Sequence, residues 1–500
     1  MELETRRETL RYERMAAQTR EPISIEGEAT LPGSMRDAVT VLSVQAQGHL
    51  TGVQAGANEA GVRGRVSFQV LYTQGDLTRI RALETSCDFE HTLRLPGAAP
   101  SMRLEATAAV EETDGSAANG RIALRALLNV DLAAMETAEC ELITDIHAGD
   151  QEDALQIRSQ EVTLCRSQLL GEGTTLAREE FDLPAKLGVG DVLTATGTAG
   201  EPEITGGSGR VGVSGIVEVR VLHRAQEAGS PLVVTTHELP YETVLDAQLP
   251  DTAQVRAQAE VIDVMADSAA VDKRRTLRVE AEVRVRLRLC CRTQAQLLED
   301  VYSTSGDLIE PVRETIEALT SEEFADVRES ARIQAALPSD APPVATVLAV
   351  FVQPTLTSVS PAGRRLDAEG IMGVTLIYLP VDSDVPYAVR TREPFAMTFP
   401  VETGEGVRAQ IHMIEASAGP TTSDRAEIRC VLGLRTMRFG MQRIEGITQI
   451  GQRPAEKQEH GFVLVWPAEG ESRWDTARRL RVAPESLRPA GKRALLALRR

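Results

Sequence analysis

The sequence predicts a mainly β protein: three repeated antiparallel β-sandwich or open-barrel-like domains, then a small C-terminal βααβ module. Three observations carry this. One pattern recurs at domain-sized intervals, and long runs alternate apolar with polar residues. Aromatic residues make up only 3% of the chain against 42% apolar, so the cores must be built from Val, Leu, Ile and Ala, a composition that suits sheets.

The recurring pattern starts with a Leu-Pro pair, at Leu31-Pro32, Leu183-Pro184 and Leu337-Pro338. A second Leu follows at Leu42, Leu193 and Leu348, and a Gly at Gly64, Gly215 and Gly370. Eight residues beyond each Gly stands Tyr72, His223 or Tyr378, each preceded by an aliphatic residue, Leu71, Leu222 or Ile377. The starting leucines lie 152 and 154 residues apart (183 − 31 and 337 − 183), a period of whole domains and not of solenoid turns.

Element by element, residues 1–20 read as a charged, partly helical leader. In 21–150, Val66, Phe68, Val70 and Tyr72 alternate as in a half-buried strand. The run Met102, Leu104, Ala106, Ala108, Val110 turns at Asp114-Gly115 and returns through Ile122–Leu132, a hairpin. Residues 151–305 repeat this order. Their returning strand places Leu277, Val279, Ala281, Val283, Val285, Leu287 and Leu289 on one face. Arg278, Glu280, Glu282, Arg284, Arg286 and Arg288 occupy the other, read as a solvated ladder because no aromatics are interleaved. Residues 306–445 form the third repeat, with a helix expected over Glu310–Glu329 from Val312, Ile316, Leu319, Phe324 and Val327. A polar linker, 446–459, leads into the module at 460–500.

Net charge is −19, against nucleic acid as a general partner. Residues 462–500 carry nine Lys/Arg and four Asp/Glu, a net of +5, which leaves −24 for residues 1–461. A basic tail on an acidic body suits an acidic protein partner. The six cysteines show no shared spacing and no CxxC, so they read as small buried hydrophobes, with neither disulfides nor zinc. The charged start carries no signal peptide, and no stretch is apolar enough for membrane insertion, so the expected compartment is the cytosol. Scattered histidines, the flexible Gly206-Gly207-Ser208-Gly209 turn and the bare Asp382-Ser383-Asp384 supply no catalytic or cofactor pattern, which favours a scaffold over an enzyme.

In the module, Phe462–Trp466 reads as a strand. Ser472 caps a helix with Asp475 as its capping-box partner, Pro484 opens a second helix, and Gly491-Lys492 turns into Leu495–Leu498. This string resembles the LysM family at Gly470, Glu471, Ser472, Trp474, Ala477, Arg478, Leu480, Val482, Leu487 and Gly491. It departs from that family with Glu471 in place of Asp, Arg473 in place of Leu, and a loop shortened to Arg488-Pro489-Ala490. The repeats resemble the SPOCS domain family of spore-forming Firmicutes through the Leu-Pro opening, the Gly-x7-Tyr strand and the Asp-Val-Tyr-Ser joint at 300–303.

Repeated SPOCS domains with a C-terminal LysM domain are the architecture of clostridial coat morphogenesis proteins. That resemblance implies a non-enzymatic adaptor on the mother-cell side of the forespore, binding the coat ATPase SpoIVA through its LysM-like module. The candidate contact residues are Trp466, Glu471, Trp474, Arg478, Arg479, Arg481 and Leu487. The alternative is a peptidoglycan-binding module that holds N-acetylglucosamine polymers, for which the family uses the loop shortened here.

Overall fold

The computed structural model describes residues 3–31, 39–182, 189–207, 209–225, 232–249, 254–271, 274–304, 307–422, 424–454, 461–490 and 494–499. Pro32, Leu183-Pro184, Ser208, the 455–459 part of the linker and Gly491-Lys492 lie outside them.

Alternation of apolar and polar residues is realised almost throughout as antiparallel strand. The first repeat comprises β1 (Glu4–Thr30), β2 (Val39–Ala55), β3 (Glu59–Gln74), β4 (Asp76–Arg94), β5 (Arg103–Ala118) and β6 (Arg121–His147). They form two sheets, β1-β6-β5 and β2-β3-β4. The inward residues of the central strands, Val62, Val66, Phe68 and Val70 of β3 and Ile122, Leu124, Leu128 and Val130 of β6, make one core between them.

The second repeat follows the same plan. Its strands are β7 (Leu155–Asp182), β8 (Val189–Ala199), β9 (Glu203–Gly207), β10 (Arg210–Ala225), β11 (Leu232–Leu245), β12 (Gln254–Val271) and β13 (Arg274–Ser303), in sheets β12-β13-β7 and β11-β10-β8, with β9 also on β10. The third comprises β14 (Leu308–Ala336), β15 (Val344–Ala362), β16 (Arg365–Pro380), β17 (Tyr387–Phe399), β18 (Arg408–Thr421) and β19 (Arg425–Arg453), in sheets β14-β19-β18 and β15-β16-β17.

Four expectations are corrected here. The leader is the first half of β1, paired with β6 from Glu4↔His147 onward. The helix expected over Glu310–Glu329 is strand β14, and the first half of the linker is the end of β19, since Leu308 pairs with Arg453. In both segments the cross-strand partner lies more than a hundred residues away, and long-range pairing overrides local periodicity. The hairpin of the first repeat turns not at Asp114-Gly115 but at Asn119-Gly120, where φ is 53° and 74°. Two consecutive positive φ values favour Asn-Gly in a two-residue turn.

The repeated glycine has a packing cause. Gly64, Gly215 and Gly370 stand opposite Phe89, Tyr241 and Phe395 on the neighbouring strand. A Cβ would come within 2.5 Å of Phe89 Cζ at Gly64, 2.5 Å of Tyr241 Oη at Gly215 and 2.7 Å of Phe395 Cε1 at Gly370. An aromatic ring lies over each bare backbone position, and at Gly64 and Gly370 the backbone carbonyls of His49 and Thr355 close it further, so a side chain there would have to displace backbone.

The first strand and the last long strand of each repeat continue past the sandwich as a two-stranded arm. A register shift marks the departure in all three, at Met15/Ala17, Leu287/Arg288 and Leu319/Ser321. The arms pack on one another through Tyr12 and Leu142 of the first, Val162, Leu164 and Leu297 of the second, and Ile316, Ala318 and Ile444 of the third. Where the sandwiches meet, a separate cluster joins Leu42 and Leu71, Leu193 and Leu222, and Ala349 and Ile377, with Leu348 packed against it. The aliphatic positions of the recurring sequence pattern are therefore the contact between repeats.

Candidate partner-binding site

Hydrogen bonds close the three repeats in a ring. Gln69 Nε2 donates to the Ala195 carbonyl at 2.7 Å, Arg220 Nη2 to the Ala416 carbonyl at 3.1 Å, and Gln353 Nε2 to the Val110 carbonyl at 2.8 Å. A cavity of about 350 Å³, lined by all three repeats, lies among these groups. On its wall, burial and the nearby Arg435 hold His412 down at about 4, with Asp326 opposing and Arg328 adding to the effect. His412 is thus neutral at pH 7 in the folded chain, whereas an unfolded His titrates near 6.5.

Stability from His412 is fully present above pH 6.5 and falls as pH drops from 6.5 towards 4, by about 3 kcal/mol. His223 and His237, also lowered by burial, act in the same direction. Urea titrations from pH 7 to 4 should show this loss, and a His412→Gln variant should show a shallower one. Equal slopes for the two proteins would refute the assignment.

The charged ladder of β13 is only partly solvated. Arg278 pairs with Glu180 at the surface, but Arg284 donates to the Leu50 carbonyl of the first repeat at 2.9 Å. Arg288 reaches Glu105 of the first repeat, with Nη1 2.8 Å from Oε1, and Glu322 of the third at 3.6 Å. Arg103 meets buried Glu13 at 3.0 Å in the same junction. Charges placed on the outer face of one domain become the inner face of an assembly of three.

Two of the cysteines depart from the expected set of small buried hydrophobes. Cys165 and Cys290, 125 residues apart, are joined as a disulfide with Cα atoms 6.3 Å apart. Ser167 pairs with Cys290 and Cys165 with Arg292, so the two sulfurs are diagonal neighbours on adjacent strands, a relation invisible in spacing along the chain. Cys140 and Cys430 are buried thiols as expected, and burial pushes Cys430 up to about 11. Among the described residues no group of three or more His, Cys, Asp or Glu could hold a metal, and no helix is long and apolar enough to cross a membrane.

The C-terminal module comprises β20 (Gly461–Val465), helix α1 (Arg473–Leu480), a single 3-10 turn (Pro484–Ser486), β21 (Arg488–Pro489) and β22 (Leu495–Arg499). The second helix is thus reduced to one turn. Ser472 and Asp475 form the expected capping box, and Arg481 closes α1 with φ 54°. Arg473 clamps helix to turn by donating to the carbonyls of Pro484 at 2.8 Å and Leu487 at 2.7 Å.

The sequence-selected residues separate into three groups. Leu487 is core, packed with Val465, Ala477, Leu480, Val482 and Ala497. Glu471 and Arg479 satisfy each other at 2.9 Å, and that bond holds the Glu471 carboxyl below its usual range. Trp474, Arg478 and Arg481 face the body of the same chain. Trp474 Nε1 and Arg478 Nη1 donate to Asp300 Oδ2 at 2.8 and 3.1 Å, and Arg481 Nε donates to the Ser303 carbonyl at 3.3 Å.

Trp466 is the apolar side chain of the seven that points outward, 63% exposed. Two residues the sequence reading passed over join it: Phe462 (74%) and Leu464 (48%) alternate with buried Val465 and half-buried Val463 on β20. The pairing of Leu464 with Leu496, and of Leu496 with Arg488, extends this face across the sheet. Alternation within Phe462–Trp466 was the available signal, since a strand at the edge of so small a module buries one side only.

Residues 37–117, running from β2 into β5 and containing Gly64 and Tyr72, match the family described as SipL, SPOCS domain. The chain contains a SPOCS domain. It resembles SipL, and the SPOCS domain indicates a sporulation-related role. The two later repeats share the strand order of the matched SPOCS segment. No curated protein and no solved structure matches the chain.

Proposed function

We propose that this SPOCS-domain protein is a non-enzymatic adaptor of spore coat assembly at the forespore surface. It binds a SpoIVA-like coat ATPase through the C-terminal, LysM-like module. The exposed stripe Phe462, Leu464 and Trp466 carries this reading: an outward apolar face on a basic module, fixed to an acidic body, is a contact surface of the kind that aromatic anchors make. Arg488, exposed beside Leu496 on the same sheet, supplies positive charge at its rim and suits an acidic partner. The ring-closed body serves as a stiff spacer that holds the module away from the opposite end.

Capture of purified SpoIVA by the full chain tests the reading. Changing Phe462 and Trp466 together to Ser should lower capture at least tenfold, and in sporulating cells should disperse the protein from the forespore. Undiminished capture by the double variant would defeat it.

A further inference from the structure

The module does not hang free on its linker. Asp300, 2% exposed, accepts hydrogen bonds from Trp474 and Arg478 of the module through one carboxylate oxygen. Through the other it accepts from Arg313 Nη2 of β14 at 2.5 Å. Tyr302, two residues on, enters the module's own core beside Ala477, Leu480 and Leu487 and donates its hydroxyl to the Val482 carbonyl at 2.8 Å. Its ring meets Trp474 edge-on at 5.1 Å, and Arg158 lies over the same indole at 5.3 Å.

Among the described residues, the equivalent joint of the first repeat has no such guest. There Asp145 bonds its neighbour's Ile146 amide and pairs with His147, which stands where the second repeat has Tyr302.

We infer that this contact is a two-position latch: closed, with Trp474 and Arg478 held on Asp300, and open, with that helix face turned out to a partner. Two features make the contact reversible. Arg313 stays on Asp300 in both positions, so opening leaves no unpaired buried carboxylate in the body. The module keeps its own sheet and the core of Val465, Ala477, Leu480, Val482, Leu487 and Ala497 when Tyr302 withdraws. A contact between parts of one chain that joins a few charged hydrogen bonds to one ring pair is of the kind that opens and closes. The partner half of this inference rests on the function proposed above; the latch itself does not.

The chain has only two tryptophans, so full-length protein carrying Trp466→Phe reports on Trp474 alone. In that background Trp474 should emit at short wavelength and resist acrylamide. Asp300→Asn and, on the module side, Arg478→Ala should each shift emission to the red and raise quenching severalfold, and Arg478→Ala, which leaves the Arg313–Asp300 pair intact, should do so with the melting of the body unchanged. Trp474 fluorescence that is insensitive to both variants would overturn the latch. With Trp466 intact, Asp300→Asn should also capture purified SpoIVA several times more tightly than the parent. Opening seen by fluorescence without this gain would confirm the latch and refute the helix face as a partner surface.

Discussion

Replacing Arg288 by Ala should destabilise the three-repeat body by about 3–5 kcal/mol, the usual cost of stripping one partner from a buried ion pair. Arg288 stands between Glu105 and Glu322, side chains that are 6% and 3% exposed. Without the guanidinium both carboxylates keep their desolvation cost, Glu322 loses the counter-charge of Arg288, and Glu105 is left with Arg103 alone. Among the described residues Glu322 Oε1 has no hydrogen-bond partner even with Arg288 present, so the third repeat would feel the loss at least as much as the first. Removing the charges as a set, with Arg288→Met, Glu105→Gln and Glu322→Gln, should recover most of the stability, because no uncompensated ion then remains. Denaturant midpoints of the single and triple variants decide the matter. A single variant within 1 kcal/mol of the parent would show that the junction is wet and that the pairing carries little.

The cluster where the sandwiches meet should be nearly as sensitive. Leu222→Ala removes a buried side chain from the contact shared by Leu42, Leu71, Leu193, Ala349 and Ile377. Large-to-small changes at such sites cost about 2–5 kcal/mol, part transfer and part cavity. Because each repeat contributes to this one cluster, Leu71→Ala and Ile377→Ala should cost similar amounts, and all three should lower one cooperative unfolding transition. Separate transitions, with only the mutated repeat melting early, would mean that the repeats fold as independent beads.

These two sites show different degrees of legibility. Leu71, Leu222 and Ile377 stood out along the chain because duplication preserved their offset from Gly64, Gly215 and Gly370, although the offset alone could not say that they meet. Arg288 was read as one rung of a solvated ladder, since period-two alternation reports which face of a strand is polar and nothing about what later covers it. The candidate site divides in the same way. The capping box, the buried Leu487 and the basic character of the module followed from local patterns. That Trp474, Arg478 and Arg481 spend their polar groups on residues 300–303 of the same chain did not, and Phe462 and Leu464 became candidates only once Val465 was seen to face inward.

Strand alternation, turn residues and a domain-length period depend on neighbours a few positions away, and from these the chain alone determined its sheets, its triplication and the outline of its final module. Which charged faces are buried, which distant cysteines meet, and which side of the module remains open depend on contacts more than a hundred residues apart. Only the packing of the three repeats, and of the module on the second of them, decided those. Burial is a property of the assembled surfaces, and no local pattern records it.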